Sequence, residues 1–177
     1  KVLYDNVNTG GAVSRSKNGA LFLVSRGLGS AIVQLEPERK VLANTYNGEP
    51  LECIGGVLND LSADARGGVY LAISGSGVYY ADPKGEVTKY GDVLNVNGII
   101  LSPDEKTLYV ADTGAPRNMR KFAVDGLKLT DAGEFAKCTA GGFDGFRVDT
   151  RGNIWTSTGE GVHCYDPDGT LIGKIHI

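Results

Sequence analysis

Asn97-Gly98-Ile99-Ile100-Leu101-Ser102-Pro103-Asp104-Glu105-Lys106-Thr107-Leu108-Tyr109-Val110 reads as an apolar run, a turn and a second apolar run. The same pattern opens at Gly10-Gly11-Ala12-Val13, at Asn59-Asp60-Leu61-Ser62 and at Asp144-Gly145-Phe146-Arg147. Eleven positions after each start stands a large apolar residue: Leu21, Tyr70, Leu108 and Trp155. The starts are 49, 38 and 47 residues apart. A supersecondary unit recurring at roughly 40–50 residues is the signature of a β-propeller.

The periodicity inside each unit is two. Leu21-Phe22-Leu23-Val24, Val69-Tyr70-Leu71-Ala72-Ile73, Leu108-Tyr109-Val110 and Ile154-Trp155 are short runs of strand-forming residues. Turn signals precede them at Lys17-Asn18-Gly19, Arg66-Gly67-Gly68, Pro103 to Lys106 and Arg151-Gly152-Asn153. Third runs follow at Ala31 to Leu35, Gly77 to Tyr80, Met119 to Phe122 and Val162 to Tyr165. The turns Asp82-Pro83-Lys84-Gly85 and Asp166-Pro167-Asp168-Gly169 are near copies that lead into a fourth strand. The expectation is therefore an all-β chain of four-stranded antiparallel blades at about 10–43, 59–90, 97–135 and 144–177. Residues 1–9 hold one short apolar run, Lys1-Val2-Leu3-Tyr4, and no turn follows the last strand. A propeller closes to remove its sheet edges, so four blades with these ends read as part of a larger ring in a single domain.

Composition narrows the function classes. Eighteen basic and 21 acidic residues leave a net charge of −3, and no Lys/Arg run interleaves with aromatics, as a nucleic-acid surface would require. No stretch has the length and apolarity of a membrane span or of a secretory leader. The composition reads as a soluble protein, cytoplasmic or exported, with no assigned oligomeric state. Glycine, 26 of 177, is about twice its usual frequency and falls between the runs, as many tight turns demand. Cys53, Cys138 and Cys164 are odd in number and lack metal-site spacing, so they read as free or packed thiols. His163 alternates within a strand and reads as structural, and Trp155 reads as core between blades.

Three segments resemble one family, in order and at matching spacing. Asn59-Asp60-Leu61-Ser62-Ala63-Asp64 with Gly67-Gly68 is similar to the "PND…D…G" stretch of the SMP-30/gluconolactonase/LRE-like propellers. Asn97 to Thr113 is similar to that family's "NG…SPD…LYVADT" segment, and Asp144 to Trp155 to its "PDG…VD..GN.W" segment. The resemblance covers nearly the whole chain, most loosely over residues 1–50, and lies closest to the gluconolactonase branch. It implies a six-bladed propeller of which this chain holds about four blades, and metal-dependent opening of a sugar-acid or related small lactone. It also implies a metal-ligating Glu from an "EGP" stretch, which this chain does not contain.

The inner strand of a propeller blade runs along the central channel, so equivalent residues at the starts of these strands are expected to converge. Asn59, Asn97 and Asp144 occupy that register. Amide and carboxylate oxygens are hard donors, suited to Ca²⁺, Mg²⁺ or Mn²⁺. The resemblance assigns metal ligation to Asn97 and Asp144 and places Asn59 at the metal or at the substrate. The metal it implies is Ca²⁺ first, with Mg²⁺, Mn²⁺ or Zn²⁺ as alternatives, and Asp144 is its general base. Arg26 stands where the family often carries a His near the substrate; as an Arg it could bind a carboxylate or hydroxyls bidentately. Asp64 and Asp149 recur five residues after a start and read as turn caps, as do Asp104 and Asp112 as turn and strand-end residues. Cys138 and Thr139 precede Asp144 in a loop of the same face. The other readings are a non-catalytic propeller that binds a small ligand or a protein partner, and a relative that condenses rather than hydrolyses.

Overall fold

The computed structural model describes residues 2–91 and 94–177, so Lys1 of the first apolar run lies outside the described residues. The chain divides into two compact units, residues 1–91 and 92–177. Each contains two four-stranded antiparallel sheets.

In the first unit, blade 1 is β1 (Gly10–Arg15), β2 (Leu21–Ser25), β3 (Ala31–Glu36) and β4 (Lys40–Ala43). A two-stranded ribbon, β5 (Thr45–Tyr46) and β6 (Glu49–Pro50), precedes blade 2. Blade 2 is β7 (Val57–Ala63), β8 (Val69–Ser74), β9 (Gly77–Ala81) and β10 (Val87–Tyr90). In the second unit, blade 3 is β11 (Val96–Leu101), β12 (Thr107–Asp112), β13 (Asn118–Asp125) and β14 (Lys128–Lys137). Blade 4 is β15 (Phe146–Val148), β16 (Ile154–Thr158), β17 (Gly161–Tyr165) and β18 (Leu171–His176). Strand order follows chain order in every blade, as a meander requires. The described residues contain no helix, and none that could cross a membrane.

Blades pack face to face because each sheet has an apolar side to bury. Phe22, Val24 and Ile32 of blade 1 meet Leu61, Val69 and Leu71 of blade 2, with Leu51 fully buried in the same cluster. Tyr109, Met119 and Phe135 of blade 3 meet Phe146, Ile154 and Tyr165 of blade 4, with Phe143 wedged edge-on against Tyr165. Inner strands lie side by side within each unit, β1 with β7 and β11 with β15. In the first unit, Ala63 N–H donates to Ser14 Oγ across them at 3.0 Å.

The two near-copy turns close identically. The carboxylate of Asp82 accepts from the amides of Lys84 and Glu86, and that of Asp166 from Asp168 and Thr170. This is why Asp is required at the first turn position: its oxygen replaces a missing backbone acceptor. Trp155 departs from expectation. Strand β16 alternates, with Ile154 and Thr156 at 0 % exposure, whereas Trp155 is 40 % exposed on the opposite side. Its indole Nε1 donates to the Asp149 carboxylate at 3.3 Å.

Candidate functional site

The start of the inner strand is irregular in three blades. The pairing register slips between Gly10 and Val13, between Leu58 and Asp60, and between Val96 and Ile99. Asn59 and Asn97 therefore sit at β-bulges. A bulge frees one residue from the ladder and re-aims its side chain, which is why bulges recur beside functional sites. In blade 4 the strand itself begins at Phe146, but Asp144 is held in line with it. Asp144 N–H donates to Ser157 O at 3.2 Å, and Ser157 N–H donates to Gly145 O at 3.1 Å.

In the second unit, the starts of blades 3 and 4 touch. A Cβ built on Gly98 would collide with the carbonyl oxygen of Asp144 and stand 2.6 Å from the Phe146 ring. Only glycine lets the two backbones approach this closely, and the approach sets Asn97 one residue from the Asp144 segment. Asp144 is exposed and Asn97 half-buried. Among the described residues, neither side chain has a hydrogen-bond partner. One carboxylate and one amide oxygen, both uncommitted, suit a hard cation. No cluster of three His, Cys, Asp or Glu side chains occurs among the described residues, so this donor set leans on the amide.

In the first unit, Asn59 is engaged. Its Nδ2 donates to Ser74 Oγ at 2.9 Å. Arg26 Nη2 donates to the Asn59 carbonyl oxygen at 2.5 Å and lies 3.4 Å from Oδ1. Arg26 follows β2, and its loop is fastened by Arg26 N–H to Thr9 O and by Gly27 N–H to Asn8 O. Its side chain crosses Gly11, where a Cβ would collide with Nε and stand 2.5 Å from Cζ. A cavity of about 190 Å³ beside it is lined by Arg26, Ser30, Glu52, Gly56, Val57 and Leu58. The Glu52 carboxylate accepts from the amides of Gly29 and Ser30 at 3.3 and 2.5 Å and so holds that wall.

Gly11, Ser74 and Glu52 escaped the sequence reading. Ser74 was reachable by counting: it pairs with Val57 across the β7–β8 hairpin, two residues from Asn59. Nothing in the sequence marks Gly11 or Glu52. The recurring acids at the far end of the inner strands sit in turns. Asp64, 2 % exposed, accepts from the amides of Arg66 and Gly68 and from Tyr80 Oη at 2.8–2.9 Å, with Arg66 in ion pair. Burial first, and then that bond, push the Tyr80 phenol well up. Asp149 accepts from the Asn153 side chain, the amides of Asn153 and Arg151, and Trp155. The Asn153 amide foremost pulls its carboxyl down to about 2.

His163 is fully buried, 2.8 Å from Glu160 Oε1 and 3.3 Å from Tyr165 Oη, and Lys174 also pairs with Glu160. Cys53, Cys138 and Cys164 are free thiols, and Cys138 Sγ lies 3.2 Å from Ala140 O within the loop that leads to Asp144.

Residues 3–177 match the family model described as the SMP-30/gluconolactonase/LRE-like region. A gluconolactonase of Zymomonas mobilis is 26 % identical over 188 residues, which cover 89 % of this chain and 51 % of that protein. The solved structure of a gluconolactonase from Xanthomonas campestris superposes with a TM-score of 0.86 at 28 % identity, over 99 % of this chain and 65 % of that one. The calcium-binding regucalcin of Agrobacterium tumefaciens superposes with a TM-score of 0.70 at 25 % identity, over 95 % and 60 %. The chain thus spans about half the length of the curated relatives it matches.

Proposed function

The chain belongs to the SMP-30/gluconolactonase/LRE-like family, and from that premise we propose that it is the part of a metal-dependent lactonase that carries Asn97 and Asp144 as metal ligands. The substrate class is a sugar-acid or related small lactone. The observation that carries the reading is the pair of uncommitted oxygens at two adjoining strand starts, one on a residue at a bulge and the other on a residue whose backbone N–H donates to Ser157 O.

The chemistry then divides among residues of this chain. Asn97 offers a neutral amide oxygen and Asp144 an anionic one, so together they match a hard dication better than a soft one. The calcium-binding neighbour supports Ca²⁺ as the ion. A bound dication would supply Lewis-acid polarisation of the lactone carbonyl. Asp144 is the carboxylate of the pair and would accept a proton from the attacking water. Ligation lowers the basicity of a carboxylate, so its larger contribution is to hold the ion. In the first unit, Arg26 and Asn59 are the candidates for substrate contact, since their donors suit ring hydroxyls.

The test is hydrolysis of D-glucono-1,5-lactone followed by proton release, with Ca²⁺ and after chelation. Turnover is expected to fall with chelation, and Asp144→Ala to lower it by about 10²–10⁴-fold. Equal turnover in wild type and Asp144→Ala would reject the assignment. Ca²⁺ binding without turnover of any lactone would turn the reading toward a binding module.

A further inference from the structure

We propose that Arg26 is a positioning residue for Asn59, and that its guanidinium stands where a metal ion would otherwise approach the Asn59 amide. The inference rests on the lactonase reading for its consequence but not for its geometry, which lies wholly within the first unit.

A guanidinium can only donate, so the acceptors facing Arg26 Nη2 are the Asn59 carbonyl oxygen and Oδ1. That orientation leaves Nδ2 to donate to Ser74 Oγ. The amide is thereby fixed at both ends, by residues from two different blades. The bridge exists because Gly11 has no side chain: any Cβ there would strike the guanidinium stem.

The electrostatic consequence follows from distance. A Ca²⁺ ligated by Asn59 Oδ1 would sit at most about 6 Å from the Arg26 guanidinium, well inside a Debye length. Two like charges at that separation disfavour the ion. Asn59 is thus set apart from Asn97, which has the same register and no side-chain bond to a cation among the described residues. The remaining guanidinium donors are left to orient a substrate, and metal affinity falls to Asn97 and Asp144.

Two measurements test this. Calorimetric titration with CaCl₂ should give the same affinity for wild type and Asn59→Ala, and a loss of about tenfold or more for Asn97→Ala and Asp144→Ala. A tenfold loss in Asn59→Ala would overturn the proposal. The second readout needs no metal. The side-chain ¹H–¹⁵N signal of Asn59, identified by its disappearance in Asn59→Ala, should move in both Arg26→Ala and Ser74→Ala. Arg26→Lys, which keeps the charge but not the fork, should restore it only in part. A signal that ignores Arg26→Ala overturns the proposal even if every variant folds. If wild type binds no Ca²⁺, the lactonase reading falls, while the amide signal still decides the Arg26 contact.

Discussion

At the start of blade 2, Asn59 commits both halves of its amide, to Ser74 and to Arg26; at the starts of blades 3 and 4, Asn97 and Asp144 keep theirs. The same contrast recurs, in the same direction, at the far end of the inner strands. In the first unit Asp64 is sealed at 2 % exposure under Tyr80 and Arg66, while in the second Asp149 sits half-buried on the turn surface. One repeat therefore yields two local environments. What differs is which neighbours reach the repeat position, and those come from other strands: Arg26 from the end of β2, Tyr80 from β9, Trp155 from β16. Identical registers give a position in the fold, and cross-strand partners give it a role.

The largest effect expected is at the turns. Asp64→Ala would strip a buried acceptor from two backbone amides and the Tyr80 phenol, and an ion-pair partner from the exposed Arg66, at a cost of about 3 kcal/mol. Asp149→Ala removes the same kind of cap from a wetter turn and should shift the urea midpoint distinctly less. Equal shifts would mean that burial does not separate the two units as described.

A smaller and more pointed effect is expected at the glycines beside the strand starts. In Gly98→Ala the new methyl meets a backbone carbonyl and a buried ring, neither of which can swing away, so the cost should be about 2 kcal/mol. In Gly11→Ala it meets the movable end of Arg26, and the fold should lose under about 0.5 kcal/mol while the arginine leaves Asn59. Urea unfolding reads the first and the Asn59 amide signal reads the second. Equal unfolding costs would show that the Arg26 bridge is as rigid as the contact between the starts of β11 and β15.

Much of the architecture was legible because a propeller blade repeats its own grammar. Turn signals at Gly67-Gly68 and Gly152, period-two runs and the Asp-Pro-x-Gly copies marked an all-β chain of four-stranded antiparallel sheets. The bulges were not legible, since a slipped register leaves no mark in residue identity; Asn97-Gly98 is a common turn pair as well. Trp155 was misread for a related reason. Its counterparts Tyr70 and Leu108 are 1 % and 0 % exposed, so the repeat argued for burial, but β16 covers Ile154 and leaves the indole side open. The Arg26–Asn59 bridge was invisible because 33 residues separate the partners and the enabling residue, Gly11, is conspicuous only for lacking a side chain.

The least disruptive way to probe the contrast is by acid. The Asp149 carboxyl is held at about 2, chiefly by the Asn153 side chain and further by backbone amides and Trp155, against an unfolded value near 3.9. A depressed folded value favours the ionised native state. Its contribution is complete above the unfolded value and disappears as pH falls through about 4 toward 2. Asp149→Asn removes that titration while keeping an oxygen for the Arg151 and Asn153 amides. Wild type should therefore lose stability more steeply than Asp149→Asn between pH 5 and 2, and the two curves should run parallel above pH 5. Asp104, Glu36 and Glu160 are also held below their usual values, by Ser102, Arg15 and Lys174 foremost, so a residual slope persists in the variant. Parallel curves across the whole range would mean that Asp149 is bonded no more strongly in the folded turn than in water. The exposed cap of blade 4 would then be shape without electrostatic content, and its likeness to Asp64 would end at the register.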